Sequence, residues 1–83
     1  HARLNYVSVL EELGKYDEAL KEIEFLEKTI DEDLNSVVIY AKARQYYYKN
    51  DFANAKKELE NIVQNYASSS EARTAKSMLQ LIQ

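Results

Sequence analysis

The sequence predicts an all-α protein of five helices arranged in antiparallel pairs. Its 83 residues contain no proline and one glycine, whereas the tight turns of antiparallel β-sheets need glycine, proline or asparagine. Apolar residues recur every three or four positions along the chain, which is the spacing of one helix face. Polar turn segments interrupt this spacing at short intervals, and short connections make neighbouring helices antiparallel.

The first two helices are predicted over residues 2–13 and 17–31. Gly14 ends the first helix in the manner of a C-terminal cap, and Asp17 is the expected N-cap of the second. The apolar face of the first helix has intervals of three: Leu4, Val7, Leu10 and Leu13. The second helix has a similar face: Ala19, Leu20, Ile23, Leu26 and Ile30.

The third helix is predicted over residues 36–49, with Asn35 or Ser36 as its cap. Asn50 follows it and can adopt the left-handed conformation that ends a helix. Its apolar face begins at one of two positions and includes two aromatic residues: Val38 or Ile39, then Ala43, Tyr46 and Tyr47. We expect Tyr46 to be a core residue.

The last two helices are predicted over residues 52–66 and 70–82. The fourth begins near Asp51, and the serines at 68–70 can cap the fifth. Both have an amphipathic pattern. Their apolar positions are Ala55, Leu59, Ile62, Val63 and Tyr66 in the fourth helix, and Ala72, Ala75, Met78, Leu79 and Ile82 in the fifth.

Composition argues against several classes of function. The net charge is −3, with −7 between residues 11 and 33 and +4 elsewhere, so the chain lacks the basic excess of a nucleic-acid-binding protein. There is no cysteine, and the single histidine is His1. We therefore expect no enzyme activity, metal or cofactor. No apolar run approaches the roughly 20 residues that span a bilayer, which argues against direct membrane insertion.

The chain contains an internal repeat with an offset of 36 residues. Residues 14–24 align with residues 50–60, and the third helix aligns with both the first and the fifth. Repeat 1 is therefore predicted at about 1–34, repeat 2 at about 36–69, and the first helix of a third repeat at about 70–83. Each unit is a helical hairpin, which cannot bury its apolar face alone and must stack on a neighbour.

The aligned hairpins resemble the tetratricopeptide repeat. The matching residues begin the second helix of each unit: Gly14, Tyr16 and Ala19, then Asn50, Phe52 and Ala55. The resemblance implies a solenoid, in which antiparallel helix pairs form a right-handed superhelix. The sequence departs from the family in its period, usually 34 residues, and in lacking the first-helix tryptophan and the proline after the second helix.

Residues 66–75 are similar to a linking segment found in bacterial envelope proteins with such repeats. The tyrosine, the serine and both alanines of that segment are retained, and its proline is replaced by Ala67. The similarity implies a bacterial parent in the periplasm or cell envelope, with the cytoplasm as the alternative. Because the sequence starts without methionine and inside a helical pattern, we expect a fragment of a longer protein.

The candidate partner-binding residues lie on one side of the first helix of each unit. In the resembling family this side lines a concave groove that binds peptides. The candidates are Tyr40, Arg44, Tyr47 and Tyr48 on the third helix, with Ser8, Glu11 and Glu12 across from them. Aromatic residues and arginine are common binding anchors. The alternative is that these tyrosines pack on neighbouring helices with their hydroxyl groups at the surface.

The function predicted from the sequence is a protein–protein interaction scaffold that binds a protein or peptide. Two alternatives remain open. One is a structural or oligomerisation segment of a longer solenoid, including a homo-oligomer. The other is a recruiting module of a larger enzyme or of an envelope assembly lipoprotein. A non-repeating helical bundle is the alternative fold, and it would return the fifth helix onto the first.

Overall fold

The computed structural model describes residues 2–29 and 31–82, and five α-helices account for most of them. The helices are α1 (Ala2–Glu12), α2 (Tyr16–Thr29), α3 (Asn35–Tyr48), α4 (Phe52–Asn65) and α5 (Ser70–Ile82). A short 3-10 helix, Glu32–Leu34, precedes α3. Neither described range contains a β-strand, so the all-α prediction is confirmed. The predicted helix ends lie within two residues of the observed ones, and Ile30 lies outside the described residues.

The turns that follow α1 and α3 have the same backbone structure. Gly14 has φ +74° and Asn50 has φ +67°, a left-handed conformation that glycine and asparagine adopt most readily. Each turn also has two backbone hydrogen bonds, of 3.0 and 2.8 Å: Gly14 to Glu11 and Lys15 to Leu10, then Asn50 to Tyr47 and Asp51 to Tyr46. All these positions are offset by 36 residues.

The fourth helix begins where the sequence predicts, directly after Asp51. The carboxylate of Asp51 accepts a hydrogen bond from the backbone N–H of Asn54 at the start of α4. Asp17 was expected to cap the second helix, and this is wrong. Because α2 begins at Tyr16, Asp17 lies inside its first turn, where its carboxylate binds the ammonium group of Lys49.

The cap of α3 also differs from expectation, whereas that of α5 agrees with it. Neither Asn35 nor Ser36 caps α3: its N-cap is Leu34, which makes no side-chain capping bond. The 3-10 helix leads directly into α3, so the backbone N–H of Asn35 bonds to the carbonyl of Glu32. At α5 the hydroxyl of Ser69 accepts a hydrogen bond from the backbone N–H of Ala72, at 3.3 Å.

Ion pairs show that consecutive helices are antiparallel. Lys42 and Lys49 of α3 pair with Glu27 and Asp17 of α2, respectively. The later residue of α3 therefore meets the earlier residue of α2. The connections of α1 to α2 and of α3 to α4 are three residues long, which imposes the same orientation on those pairs.

The α3 helix is central because it contributes to two apolar cores. The first core joins α1, α2 and α3: Val7, Leu10, Ala19, Ile23, Leu26, Val38 and Ala41. The second joins α3, α4 and α5: Ile39, Ala43, Leu59, Ile62, Ala72 and Ala75. Within the described residues α5 contacts α3 and α4 but makes no contact with α1. The arrangement therefore differs from a bundle in which the fifth helix returns onto the first.

Burial is nearly identical at the equivalent core positions of α2 and α4. Ala19 and Ala55 are both 0% exposed, as expected where two helices approach closely. The prediction that Tyr46 is a core residue is wrong, because Tyr46 is only half-buried and belongs to neither core. Gln45 is completely buried instead. Since α3 is covered on two sides, a residue outside its single apolar stripe also becomes buried.

Candidate functional site

A groove between α1, α3 and α5 is the candidate functional site. Its cavity has a volume of about 410 Å³. It is formed by the first helix of each predicted unit, and the residues that line it come from all three of these helices: Leu4, Val7 and Ser8; Val37, Tyr40, Ala41 and Arg44; and Ser70, Glu71 and Thr74. These residues follow helical spacing, so each helix presents one face to the groove.

The groove combines apolar walls with polar groups. Leu4, Val7, Val37 and Ala41 supply aliphatic surface. The hydroxyl groups come from serine, threonine and tyrosine, and the charged groups are one guanidinium and one carboxylate. Its lining is therefore mixed, and the polar groups can fix the orientation of a bound ligand.

Arg44 is held in place by neighbours in α1 and α3. Its Nε donates a hydrogen bond to Oε1 of Glu11 at 3.1 Å, and its guanidinium carbon lies 5.1 Å from the ring centre of Tyr40. Glu11 also accepts a hydrogen bond from Nε2 of Gln45 at 2.6 Å. Glu11 therefore ties α1 to α3 beside the groove. The side chain of Arg44 is 28% exposed, which leaves part of it accessible to a partner.

Tyr40 keeps its proton at neutral pH. Burial raises the pKa of its hydroxyl above the usual value of 10.0, and the positive charge of Arg44 offsets part of this effect. A protonated tyrosine can both donate and accept hydrogen bonds. Tyr40 can therefore bind either a carbonyl group or an N–H group presented by a segment in the groove.

The structure places Tyr47 and Tyr48 near the hairpin turns rather than in the groove lining. The ring of Tyr48 stacks on Tyr16 with centres 5.6 Å apart, and Tyr47 meets Phe52 edge to face, also at 5.6 Å. Tyr48 remains 44% exposed. Both tyrosines belong to the last turn of α3, so they lie beside the aromatic residues that begin α2 and α4.

Of the seven predicted site residues, three line the groove: Ser8, Tyr40 and Arg44. Glu11 lies beside them through its bond to Arg44. Glu12 is exposed and is not part of the lining.

The groove residues of α5 were not among those predicted from the sequence. Glu71 is half-buried and accepts a hydrogen bond from the hydroxyl of Ser36 at 2.9 Å, which joins the starts of α5 and α3. The repeat places Lys76 and Gln80 at the positions of Tyr40 and Arg44, yet Ser70, Glu71 and Thr74 face the groove. The 36-residue offset therefore does not predict the groove residues of α5, because the apolar face of α5 is turned towards α4.

Residues 2–29 and 31–82 contain neither a metal-binding cluster nor a membrane-spanning helix. No group of three or more histidine, cysteine, aspartate or glutamate side chains in these ranges is placed to hold a metal ion. None of their helices combines the length and the apolar character needed to cross a membrane.

Comparisons of the chain with protein-family models, with curated proteins and with solved structures found no match. The resemblance to the tetratricopeptide repeat therefore rests on the sequence positions that carry it.

Proposed function

We propose that the chain is a tetratricopeptide-like solenoid segment that binds a protein or peptide. In this proposal α1–α2 and α3–α4 are successive repeats, α5 is the first helix of the next, and the pairs follow a right-handed superhelix. The support comes from the two turns at Gly14 and Asn50, which share their conformation and hydrogen bonds. The equal burial of Ala19 and Ala55 supports the same alignment.

The observation that carries the proposed function is the groove itself. Its walls come from three alternate helices, as expected if each repeat contributes its first helix to one continuous surface. A bound segment would place an aliphatic side chain against Leu4 and Val37. The backbone N–H and C=O groups of that segment would form hydrogen bonds with the hydroxyl groups of Ser8, Tyr40 and Thr74. These bonds replace the ones that the segment's polar groups make to water before binding.

The charges in the groove favour a segment of mixed charge. Arg44 attracts a carboxylate, although Glu11 already occupies one side of its guanidinium. Glu71, from α5, attracts a basic group. Such complementarity contributes mainly to the orientation and the rate of binding. Because Tyr47 and Tyr48 lie outside the lining, the proposal does not depend on them.

The proposal can be tested by selecting peptides from a displayed random library with the intact chain. The affinity of each selected peptide is then measured for the Tyr40→Ala variant, which removes the aromatic side chain that lines the groove. We expect binding to weaken by about 1–2 kcal/mol. Ser8→Arg, at an exposed position on the groove, should also block binding by occupying the cavity.

Lys57→Ala is the matched control, because Lys57 is exposed on α4, outside the groove. It should bind every selected peptide as the parent chain does. Circular dichroism checks that all three variants keep their helical content. The proposal is wrong if the selected peptides bind Tyr40→Ala and Ser8→Arg with unchanged affinity, or if the library yields no specific binder.

A further inference from the structure

Four aromatic side chains form a continuous row beside the two hairpin turns. The ring centres of Tyr16 and Tyr48 are 5.6 Å apart, and those of Tyr48 and Tyr47 are 5.8 Å apart. Phe52 extends the row at 5.6 Å from Tyr47. We call these four residues the aromatic row. None of them lines the groove between α1, α3 and α5, so the row is a separate surface.

The aromatic row presents ring surface to solvent. Tyr48 and Phe52 are 44% and 43% exposed, respectively, and Tyr16 and Tyr47 are half-buried. Single exposed apolar residues are common on proteins, whereas a contiguous apolar patch usually marks a surface that binds another molecule.

The hairpin turns do not require the two tyrosines at the end of α3. The turn after α1 has the same backbone conformation and hydrogen bonds as the turn after α3. In α1, however, the positions equivalent to these two tyrosines are Glu11 and Glu12. The shared turn therefore forms with glutamates as well as with tyrosines, and turn structure does not explain the aromatic row.

The polar groups around the aromatic row define the chemistry that it offers. Within residues 2–29 and 31–82, no hydrogen bond joins the hydroxyl groups of its three tyrosines to another protein group. The adjacent carboxylates are engaged, since Asp17 binds Lys49 and Asp51 accepts two hydrogen bonds from Asn54. The surface thus offers ring faces, phenol hydroxyl groups and the exposed ammonium of Lys15.

We propose that the aromatic row binds a proline-rich segment of another protein in the polyproline II conformation. The pyrrolidine rings of such a segment pack on aromatic side chains. Its carbonyl groups accept hydrogen bonds from the phenol hydroxyls, because a polyproline II helix has no internal hydrogen bonds. Proline has no backbone N–H, so the segment does not need the carboxylates that are already engaged.

Two further properties favour this occupant. The polyproline II helix is already ordered before binding, so a surface of only four rings can hold it at a small entropic cost. A second copy of the chain cannot supply the segment, because the sequence contains no proline. The inference does not rest on peptide binding in the groove.

The probe for the test is decaproline with blocked ends, which is about 31 Å long in this conformation. It is titrated into the intact chain while the ring resonances of the aromatic row are followed by NMR. We expect these resonances to shift saturably, with a dissociation constant below about 1 mM. A blocked ten-residue peptide of alternating glycine and serine should cause no shift.

Variants locate the bound peptide. Tyr48→Ala and Phe52→Ala should each weaken decaproline binding about tenfold. Tyr48→Phe keeps the ring and loses one hydroxyl group, so it should weaken binding only about threefold. Tyr6→Ala is the matched control, because Tyr6 is 51% exposed on α1 and lies outside the aromatic row. It should bind as the parent chain does, and circular dichroism checks the helical content of every variant.

The proposal is overturned if decaproline leaves the ring resonances unchanged, if the glycine–serine peptide binds equally well, or if Tyr48→Ala binds as tightly as Tyr6→Ala. A dimer of the parent chain that Tyr48→Ala dissociates would also overturn it, because a second copy would then occupy the row. Ser8→Arg closes the groove and should leave decaproline binding unchanged. Loss of decaproline binding in that variant would place the peptide in the groove and contradict the inference. Failure of groove binding and failure of this inference are therefore distinguishable.

Discussion

The two junctions between successive hairpin elements, α2 with α3 and α4 with α5, differ in chemistry. At the junction of α2 with α3, charged pairs add to the apolar contacts of the first core: Lys42 binds Glu27 and Lys49 binds Asp17. The junction of α4 with α5 is largely apolar, and its partly buried residues pack on the second core: Val63, Tyr66, Met78, Leu79 and Ile82. The two junctions of one fold therefore differ in whether ion pairs add to the apolar contacts between helices.

This difference explains the uneven charge of the sequence. The acidic segment, residues 11–33, has a net charge of −7 and contains the whole of α2. Basic residues outside that segment bind four of its acids: Arg3 pairs with Glu22 at 2.7 Å, Arg44 pairs with Glu11 at 3.1 Å, and two lysines of α3 pair with Glu27 and Asp17. The acidic segment therefore forms contacts with neighbouring helices in addition to a solvated helix face.

The largest effects are expected from emptying either core. Ile23 and Leu59 occupy equivalent positions and are both 0% exposed. Replacing either with alanine should lower the free energy of unfolding by about 2–5 kcal/mol, through lost burial and the cavity left behind. Urea denaturation of the two variants measures this. A loss smaller than about 1 kcal/mol for either would contradict the placement of that residue in a core.

Overpacking the closest helix contact should have a smaller effect. Ala55→Leu adds volume where the residue is 0% exposed and should cost about 1–3 kcal/mol, measured as a fall in the urea midpoint. Ala53→Leu, two positions away on the exposed side of α4, is the control and should leave stability nearly unchanged. Equal midpoints for both variants would argue against the alignment of the two hairpins.

Removing the charge of Glu11 should weaken the tie between α1 and α3. In Glu11→Gln the hydrogen bonds from Arg44 and Gln45 lose their ionised acceptor, and the expected cost is about 1 kcal/mol. Thermal unfolding followed by circular dichroism measures the effect. Glu12→Gln is the control at the neighbouring exposed position. If Glu11→Gln is as stable as Glu12→Gln, the hydrogen bonds to Glu11 contribute nothing to the stability of the fold.

The smallest effect is expected from the pH dependence of Lys42. Burial lowers the pKa of its ammonium, but the hydrogen bond to Glu27 and the charge of Glu58 raise it more, so the pKa lies above 10.5. Protonated Lys42 therefore contributes to the free energy of unfolding. This contribution is present in full below pH 10.5 and is lost as the pH rises through the pKa that Lys42 has in the folded protein.

Lys42→Met should therefore reduce the loss of stability seen as the pH rises past 10.5. The loss of unfolding free energy should be smaller in Lys42→Met than in the parent chain by about 0.5 kcal/mol, because the pair of Lys42 and Glu27 is close to the surface. Tyr40, whose pKa is also raised, contributes to the loss in both chains and cancels in the comparison. Lys56→Met, at an exposed position, should behave as the parent chain. Identical pH profiles for Lys42→Met and the parent would contradict the role of this pair.

Local sequence signals predicted the helices and the turns well. Gly14 and Asn50 mark the turns because each must adopt a left-handed backbone conformation, a requirement visible in the sequence. The small residues Ala19 and Ala55 mark the close contacts for a similar reason, since a larger side chain would not fit.

The site was predicted less well, because it depends on how each helix is rotated against its neighbours. Tyr40 and Arg44 line the groove, but Tyr47, from the same helix, meets Phe52 at a turn. Gln45 is buried because two hairpins cover α3, which a single apolar stripe does not show. The groove residues of α5, including Glu71, depend on the rotation of that helix against α4.

The account rests on ion pairs adding to the apolar contacts of the α2–α3 junction but not to those of the α4–α5 junction, and residue-resolved hydrogen exchange at low and high salt tests this most directly. At about 1 M salt the screening length falls to about 3 Å, so exposed ion pairs lose most of their contribution. We expect amides of α1 and α2 to exchange roughly fivefold faster at high salt, with those of α4 and α5 unchanged or slower. An equal acceleration in all five helices would contradict the claim.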